Sequence, residues 1–316
     1  MSGAPETRWP PAWAAGLVDG DVEATACALA LEAAAWPRDL STGERRAFAL
    51  LVLASGDARA EGATRLALGG ALEARLGRLG ARPDDRAAAV ALAGALPAHP
   101  ALAPLVGRPG DHRPFIVDGP WLYQERDLRL ELRLCDNLVA RLESAPPPLE
   151  APAAAPPAGD GQRWTAAQAA AIEAAITRPL TVVTGGPGSG KTALIGGIVR
   201  AWRARGMAAD AIAVAAPTGK AANRIAEALG AGGPATASVS PRTLHRLLGF
   251  SARPSLRGGA FRHHENNRLP YAGVIVDEAS MVDLALCEQL LRALRPEARL
   301  VLIGDADQLP AIAAGS

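Results

Sequence analysis

The sequence predicts an α/β domain, a parallel sheet covered by helices, preceded by a smaller and mainly helical domain. Three observations carry this expectation. A proline- and alanine-rich stretch at residues 145–161 divides the chain. Before it, apolar residues recur at helical spacing; after it, short apolar runs alternate with helical stretches.

In order along the chain, apolar spacing predicts helices over residues 23–36, 44–55, 65–78 and 86–97, dominated by alanine and leucine. Phe115-Ile116-Val117 and Trp121-Leu122-Tyr123 flank Asp118-Gly119-Pro120, the pattern of a short hairpin. A helix over 124–143 then sets Leu128, Leu132, Cys135, Val139 and Leu142 along one stripe. Residues 1–144 therefore read as a helical packing or docking domain with no catalytic constellation. Residues 145–161 hold six prolines and read as a semi-rigid linker. In the domain spanning 162–316, the strands fall at residues 180–184, 211–216, 273–276 and 299–303, each bounded by turn residues. A parallel sheet built from them binds ligands at the carboxyl ends of its strands.

Composition narrows the class. Hydrophobic residues make up 49%, mean hydropathy is +0.09, and no apolar run reaches the roughly 18–20 residues of a membrane span. The opening Met1-Ser2-Gly3-Ala4-Pro5-Glu6 lacks the order of a signal peptide. Cys27, Cys135 and Cys287 lie far apart, and neither they nor the histidines have zinc-ligand spacing. A cytoplasmic protein is expected. Net charge is +1, but the part up to residue 159 carries 16 basic and 20 acidic residues and the remainder 17 and 12, so a polyanion suits the second part better. Of the 33 basic residues only Lys191 and Lys220 are lysines. Where arginine serves everywhere else, these two mark sites that need a compact ammonium.

Gly185-Gly186-Pro187-Gly188-Ser189-Gly190-Lys191-Thr192 satisfies G-x-x-x-x-G-K-[ST] between a predicted strand and helix. Such a loop turns backbone N–H groups around phosphate oxygens, with Lys191 reaching the β- and γ-phosphates and Thr192 holding Mg²⁺. Asp277 and Glu278 end the strand at 273–276; beside a phosphate loop, Asp277 would bind Mg²⁺ and Glu278 would orient and deprotonate the attacking water. Alone, the same pair reads as a solvated strand end or a helix cap. Gln308, past the strand at 299–303, is a candidate γ-phosphate sensor or an ordinary turn residue. Gln168 is a candidate reader of adenine.

Together these residues resemble superfamily 1 DNA helicases, and within them the RecD family, the alpha subunits of exodeoxyribonuclease V. Gln168 falls at that family's adenine-reading glutamine, and residues 184–192 resemble motif I. Ala215-Ala216-Pro217-Thr218-Gly219-Lys220-Ala221-Ala222 is similar to motif Ia, and Thr243-Leu244-His245-Arg246-Leu247-Leu248-Gly249 to the segment after it. Asp277-Glu278-Ala279-Ser280-Met281 resembles motif II and Gly304-Asp305-Ala306-Asp307-Gln308-Leu309 motif III. Phe261-Arg262-His263 followed by Leu269-Pro270 is similar to the family's stretch before motif II, and residues 114–123 to the end of its N-terminal domain.

The resemblance implies a RecA-like P-loop motor domain using ATP and Mg²⁺, with Lys191, Asp277, Glu278 and Gln308 in the catalytic machinery. It implies single-stranded DNA contacts from Thr218, Lys220, Arg224, Thr243 and His245, a sequence-blind grip suited to hydroxyls, N–H groups and a lysine. A solvated Lys220 and a capped or core His245 are the plainer alternatives, as is a solvated loop for Arg262, His263 and His264. It further implies a 5′ to 3′ helicase acting in double-strand-break repair and homologous recombination on duplex ends, in a heterotrimer with the beta and gamma subunits of exodeoxyribonuclease V. The sequence stops at Ser316, just past motif III, so it is expected to be the N-terminal portion of a subunit whose second motor domain is absent. A stand-alone RecD-like or transfer-type helicase and a non-motor ATP-dependent assembly module are the alternatives.

Overall fold

The computed structural model describes residues 11–18, 24–150, 164–251 and 260–305. The described residues form two compact units, one up to Glu131 and one from Leu132 onward.

In the first unit, α1 (Ala24–Ala35), α2 (Thr42–Ala60), α3 (Ala71–Arg78) and α4 (Pro83–Ala95) surround a core in which Phe48, Leu50, Leu51, Leu72 and Leu76 are fully buried. Ser41 starts α2 through a capping box: its hydroxyl accepts from Glu44 N while the Glu44 carboxylate accepts from Ser41 N at 2.8 Å. That places the helix start two residues before the expected 44. The helix expected over 65–78 is instead β1 (Arg65–Ala67) followed, after Gly69-Gly70, by α3. β1 joins β2 (Val106–Gly107), β3 (Phe115–Asp118) and β4 (Trp121–Gln124) in a four-stranded sheet of order β1-β4-β3-β2. The expected hairpin is β3–β4, with Asp118 opposite Trp121.

Helix α5 (Glu125–Glu143) continues from the first unit into the second. Its predicted stripe is one face of the helix, but Leu132, Val139 and Leu142 are 51%, 53% and 61% exposed. The face that packs is carried by Leu134 and Leu138, and by Arg141, whose guanidinium donates to Ala298 O at 2.6 Å and Arg295 O at 3.1 Å. Burial pulls the Arg141 guanidinium down to about 10. The first residues of the expected linker also pack here: Pro147 O accepts from Arg299 Nη2 at 2.6 Å, and Leu149 lies against the core.

The rest of the second unit comprises α6 (Ala166–Thr177), β5 (Leu180–Thr184), α7 (Lys191–Arg203), β6 (Ile212–Ala216), α8 (Gly219–Ala231), α9 (Pro234–Ala237), β7 (Arg242–Thr243), α10 (Leu244–Leu248), β8 (Gly273–Val276), α11 (Leu284–Ala293) and β9 (Arg299–Gly304). Its five strands pair in parallel in the order β5-β9-β8-β6-β7. The apolar runs are continuous because helices cover both faces. Ile275, Val301 and Ile303 pack beneath α6, α7 and α8, while Val274, Val276 and Leu300 pack on the side of α10 and α11. At Gly273 a Cβ would lie 2.5 Å from the Trp202 ring, so only glycine lets α7 approach the strand this closely. This is the α/β class expected, and its parallel pairing sets every strand's carboxyl end on one edge. Among the described residues, no helix is long and apolar enough to cross a membrane.

Candidate nucleotide-binding site

The site begins where β5 ends at Thr184 and α7 starts at Lys191. Between them the chain must double back around a space rather than fill it. Gly190, at φ +80, precedes the helix in a left-handed conformation, and a Cβ there would also come within 2.9 Å of the Gln168 amide nitrogen. The loop is tied to the neighbouring strand by Gly185 N donating to Gly304 O at 3.2 Å. The first N–H groups of α7 have no partner within the helix, so its positive end opens on the loop.

Lys191 is the first residue of α7. Its Nζ donates to the carbonyls of Gly185 and Gly186 and lies 3.7 Å from Asp305 Oδ2. Asp305, buried directly after β9, is a site residue the sequence reading passed over; its signal was the position of a carboxylate immediately past a core strand.

On the other side, Asp277 follows β8. Its N–H donates to Ala215 O at 2.9 Å, and its Oδ1 accepts from Glu278 N at 2.9 Å. Burial pushes the Asp277 carboxyl above the usual carboxylate range, with the neighbouring Glu278 charge adding to the rise and Lys191 and Arg224 opposing it. Glu278 sits at φ 52 and ψ 39, a left-handed conformation for a non-glycine residue. Such a residue costs on the order of 1–3 kcal/mol and turns the chain sharply at the strand end. A Glu278 carboxylate oxygen, Oε2, is buried without a hydrogen-bond partner among the described residues.

The phosphate loop and both acids share one cleft of about 350 Å³, lined by residues 187–192, Ala221, Arg224, Ile225, Asp277 and Glu278. Its oxygen donors, the Thr192 hydroxyl and the Asp277 carboxylate, are of the type a hard divalent cation takes. The unpartnered Glu278 oxygen fits the same need for a ligand or water, so the residues present suit Mg²⁺.

Gln168 meets the loop from α6. Its Oε1 accepts from Thr165 N at 3.1 Å, and its Nε2 donates to Ser189 O at 3.2 Å. One N–H and one lone pair of the carboxamide remain for a base edge. Gln308 lies outside the described residues.

The residues expected to touch DNA separate into two groups. Thr218 caps α8, its hydroxyl accepting from Ala221 N at 3.2 Å, and Lys220 is exposed on the first turn. Thr243 caps α10 in the same way through Arg246 N, also at 3.2 Å. His245 is exposed and packs edge-on against Phe250, ring centroids 5.3 Å apart, and at 5.9 Å from Phe261. Phe250 is 48% exposed, so these rings form a surface aromatic cluster that sequence spacing did not reveal. Arg224 departs from the other four: it lines the nucleotide cleft.

A RecA-like α/β sheet with a phosphate loop at one strand end and two carboxylates at another defines a P-loop nucleotide-binding domain. In keeping with this, residues 168–314 match the family described as AAA domain. The similarity then narrows. The chain is 40% identical over 228 residues to the RecBCD enzyme subunit RecD of Mycolicibacterium smegmatis, covering 68% of this chain and 39% of that protein. It is 39% identical over 219 residues to the RecBCD enzyme subunit RecD of Mycobacterium tuberculosis, 64% of this chain and 36% of that one. It is also 40% identical over 148 residues to the ATP-dependent RecD2 DNA helicase of Deinococcus radiodurans, 47% of this chain and 18% of the relative. The chain is thus RecD-like, and it spans well under half the length of these relatives.

Proposed function

We propose that the chain is the ATP-binding motor domain of a RecD-type DNA helicase subunit. The observation that carries this reading is the convergence of the 187–192 loop, Asp277 and Glu278 on one cleft. There the loop N–H groups and Lys191 hold the β- and γ-phosphates, and Gln168 meets the adenine edge. Mg²⁺ held by Thr192 and Asp277 would neutralise charge on the transferring phosphoryl group. Glu278, aimed by its left-handed backbone, orients the attacking water and takes its proton. Asp305 holds Lys191 over the loop. Gln308 senses the γ-phosphate.

A single strand of DNA runs past the starts of α8 and α10, where Thr218, Lys220, Thr243 and His245 offer hydroxyls, an ammonium and an aromatic face to a sequence-blind grip. The relatives named as RecBCD enzyme subunits support a role as one subunit of a larger enzyme; in our reading that enzyme is a heterotrimer with the beta and gamma subunits of exodeoxyribonuclease V, and the motor moves 5′ to 3′ from duplex ends in double-strand-break repair and recombination. Residues 1–144 supply the docking domain. The likeness to the Deinococcus protein, named a DNA helicase and not a subunit, leaves room for a second reading, a stand-alone RecD-like helicase.

The test is ATP turnover, with and without single-stranded DNA, by a protein that carries this chain together with a second motor domain. A motor domain is stimulated by DNA and silenced by Lys191→Ala, whereas an assembly module binds ATP indifferently to DNA. Absence of any DNA effect on turnover or nucleotide affinity rejects the motor reading.

A further inference from the structure

Arg224 occupies a place that its position in the sequence did not suggest. On α8, Ala221, Arg224 and Ile225 share the face that lines the nucleotide cleft, together with Lys191, Thr192 and the two acids. No hydrogen bond or ion pair among the described residues engages its guanidinium. The charge balance of the cleft gives it a task. Lys191 is already turned toward Asp305 and two loop carbonyls, while Asp277 and Glu278 add negative charge where a triphosphate must sit. A nucleotide carrying several negative charges therefore meets acids nearly balancing the cations, and the remaining lining cation is Arg224. A planar fork with five donors suits a terminal phosphate, which presents three equivalent oxygens.

We infer that Arg224 is a phosphate-binding residue of the nucleotide site, contacting the terminal phosphate of ATP from within this domain. The inference rests on the proposed nucleotide reading of the cleft and deepens it. The terminal phosphate is singled out because Arg224 lines the cleft together with the carboxylates that end β8, whereas Gln168 is not among the lining residues. Its electrostatic coupling to Asp277 agrees with that placement. A guanidinium here distinguishes ATP from ADP and so couples nucleotide state to α8, which Thr218 caps and whose first turn carries Lys220.

The experiment measures affinities of the full 316-residue chain for a non-hydrolysable ATP analogue, for ADP and for a single-stranded oligonucleotide, each with Mg²⁺. Arg224→Ala is expected to weaken the ATP analogue about tenfold, the effect of one lost charge-assisted hydrogen bond. ADP and oligonucleotide affinities stay within about twofold, and Arg224→Lys recovers part of the loss. Because Arg224 is exposed, the variant retains the parent's melting temperature. Unchanged ATP-analogue affinity overturns the inference, as does an equal loss for ADP. A fall in oligonucleotide affinity with nucleotide affinity intact returns Arg224 to the DNA. Lys191→Ala serves as the separate control: if it still binds the analogue at parental strength, the nucleotide reading itself fails and this inference with it.

Discussion

Glu278 binds function to backbone geometry at a single position. Its left-handed conformation and its unpartnered buried oxygen both cost stability, and both follow from aiming a carboxylate into the cleft. Asparagine tolerates this conformation better than glutamate. Glu278→Asn is therefore expected to hold or raise the melting temperature by up to a few degrees, bind ATP as before, and lose turnover. A lowered melting temperature in a thermal scan would show that the conformation is not strained. At this scale most of the cleft was legible: the loop, Lys191, Thr192, Asp277 and Glu278 are fixed by local patterns that imply their own surroundings. Arg224 was not, because a motif assigns a residue to a helix without saying which neighbour its face meets.

Among the elements, most of those defined by local signals were found where expected, the capping box that starts α2 at Thr42 being an exception, and β1, defined by a distant partner, was not. Helix α1, the β3–β4 hairpin and the four longer parallel strands came from periodicity and turn chemistry. β1 did not, since Arg65-Leu66-Ala67 becomes a strand only by pairing with β4, where Arg65 donates to the Tyr123 hydroxyl at 2.9 Å and stacks over Trp121. The stripe expected on α5 is exposed from Leu132 onward, and the neighbouring face with Leu134 and Leu138 is the one that packs, a choice made by the sheet and not by the helix. α2 offers the sharpest element-scale test. Ser41→Ala removes its N-cap and should cost about 1 kcal/mol. In a unit that runs to Glu131 this lowers the melting temperature by roughly 3–4 °C, read by calorimetry; no shift would mean the cap is dispensable.

At the scale of the whole molecule, the parallel order β5-β9-β8-β6-β7 explains why motifs about 90 residues apart in sequence converge. Every strand delivers its carboxyl end to one edge, so the phosphate loop, Asp305, Asp277 and the starts of α8 and α10 share it. The charge division matches this: the basic excess lies in the part that holds the phosphate loop and the proposed DNA contacts. Oligonucleotide affinity is accordingly expected to fall steeply between low and high salt, whereas a salt-independent affinity would speak against a phosphate grip. The account's central claim concerns the cleft itself, and calorimetric titration of Mg²⁺–ATP into the chain and into Lys191→Ala tests it most directly. A saturable binding heat in the parent chain that vanishes in the variant is the predicted result. Equal binding by both would contradict it.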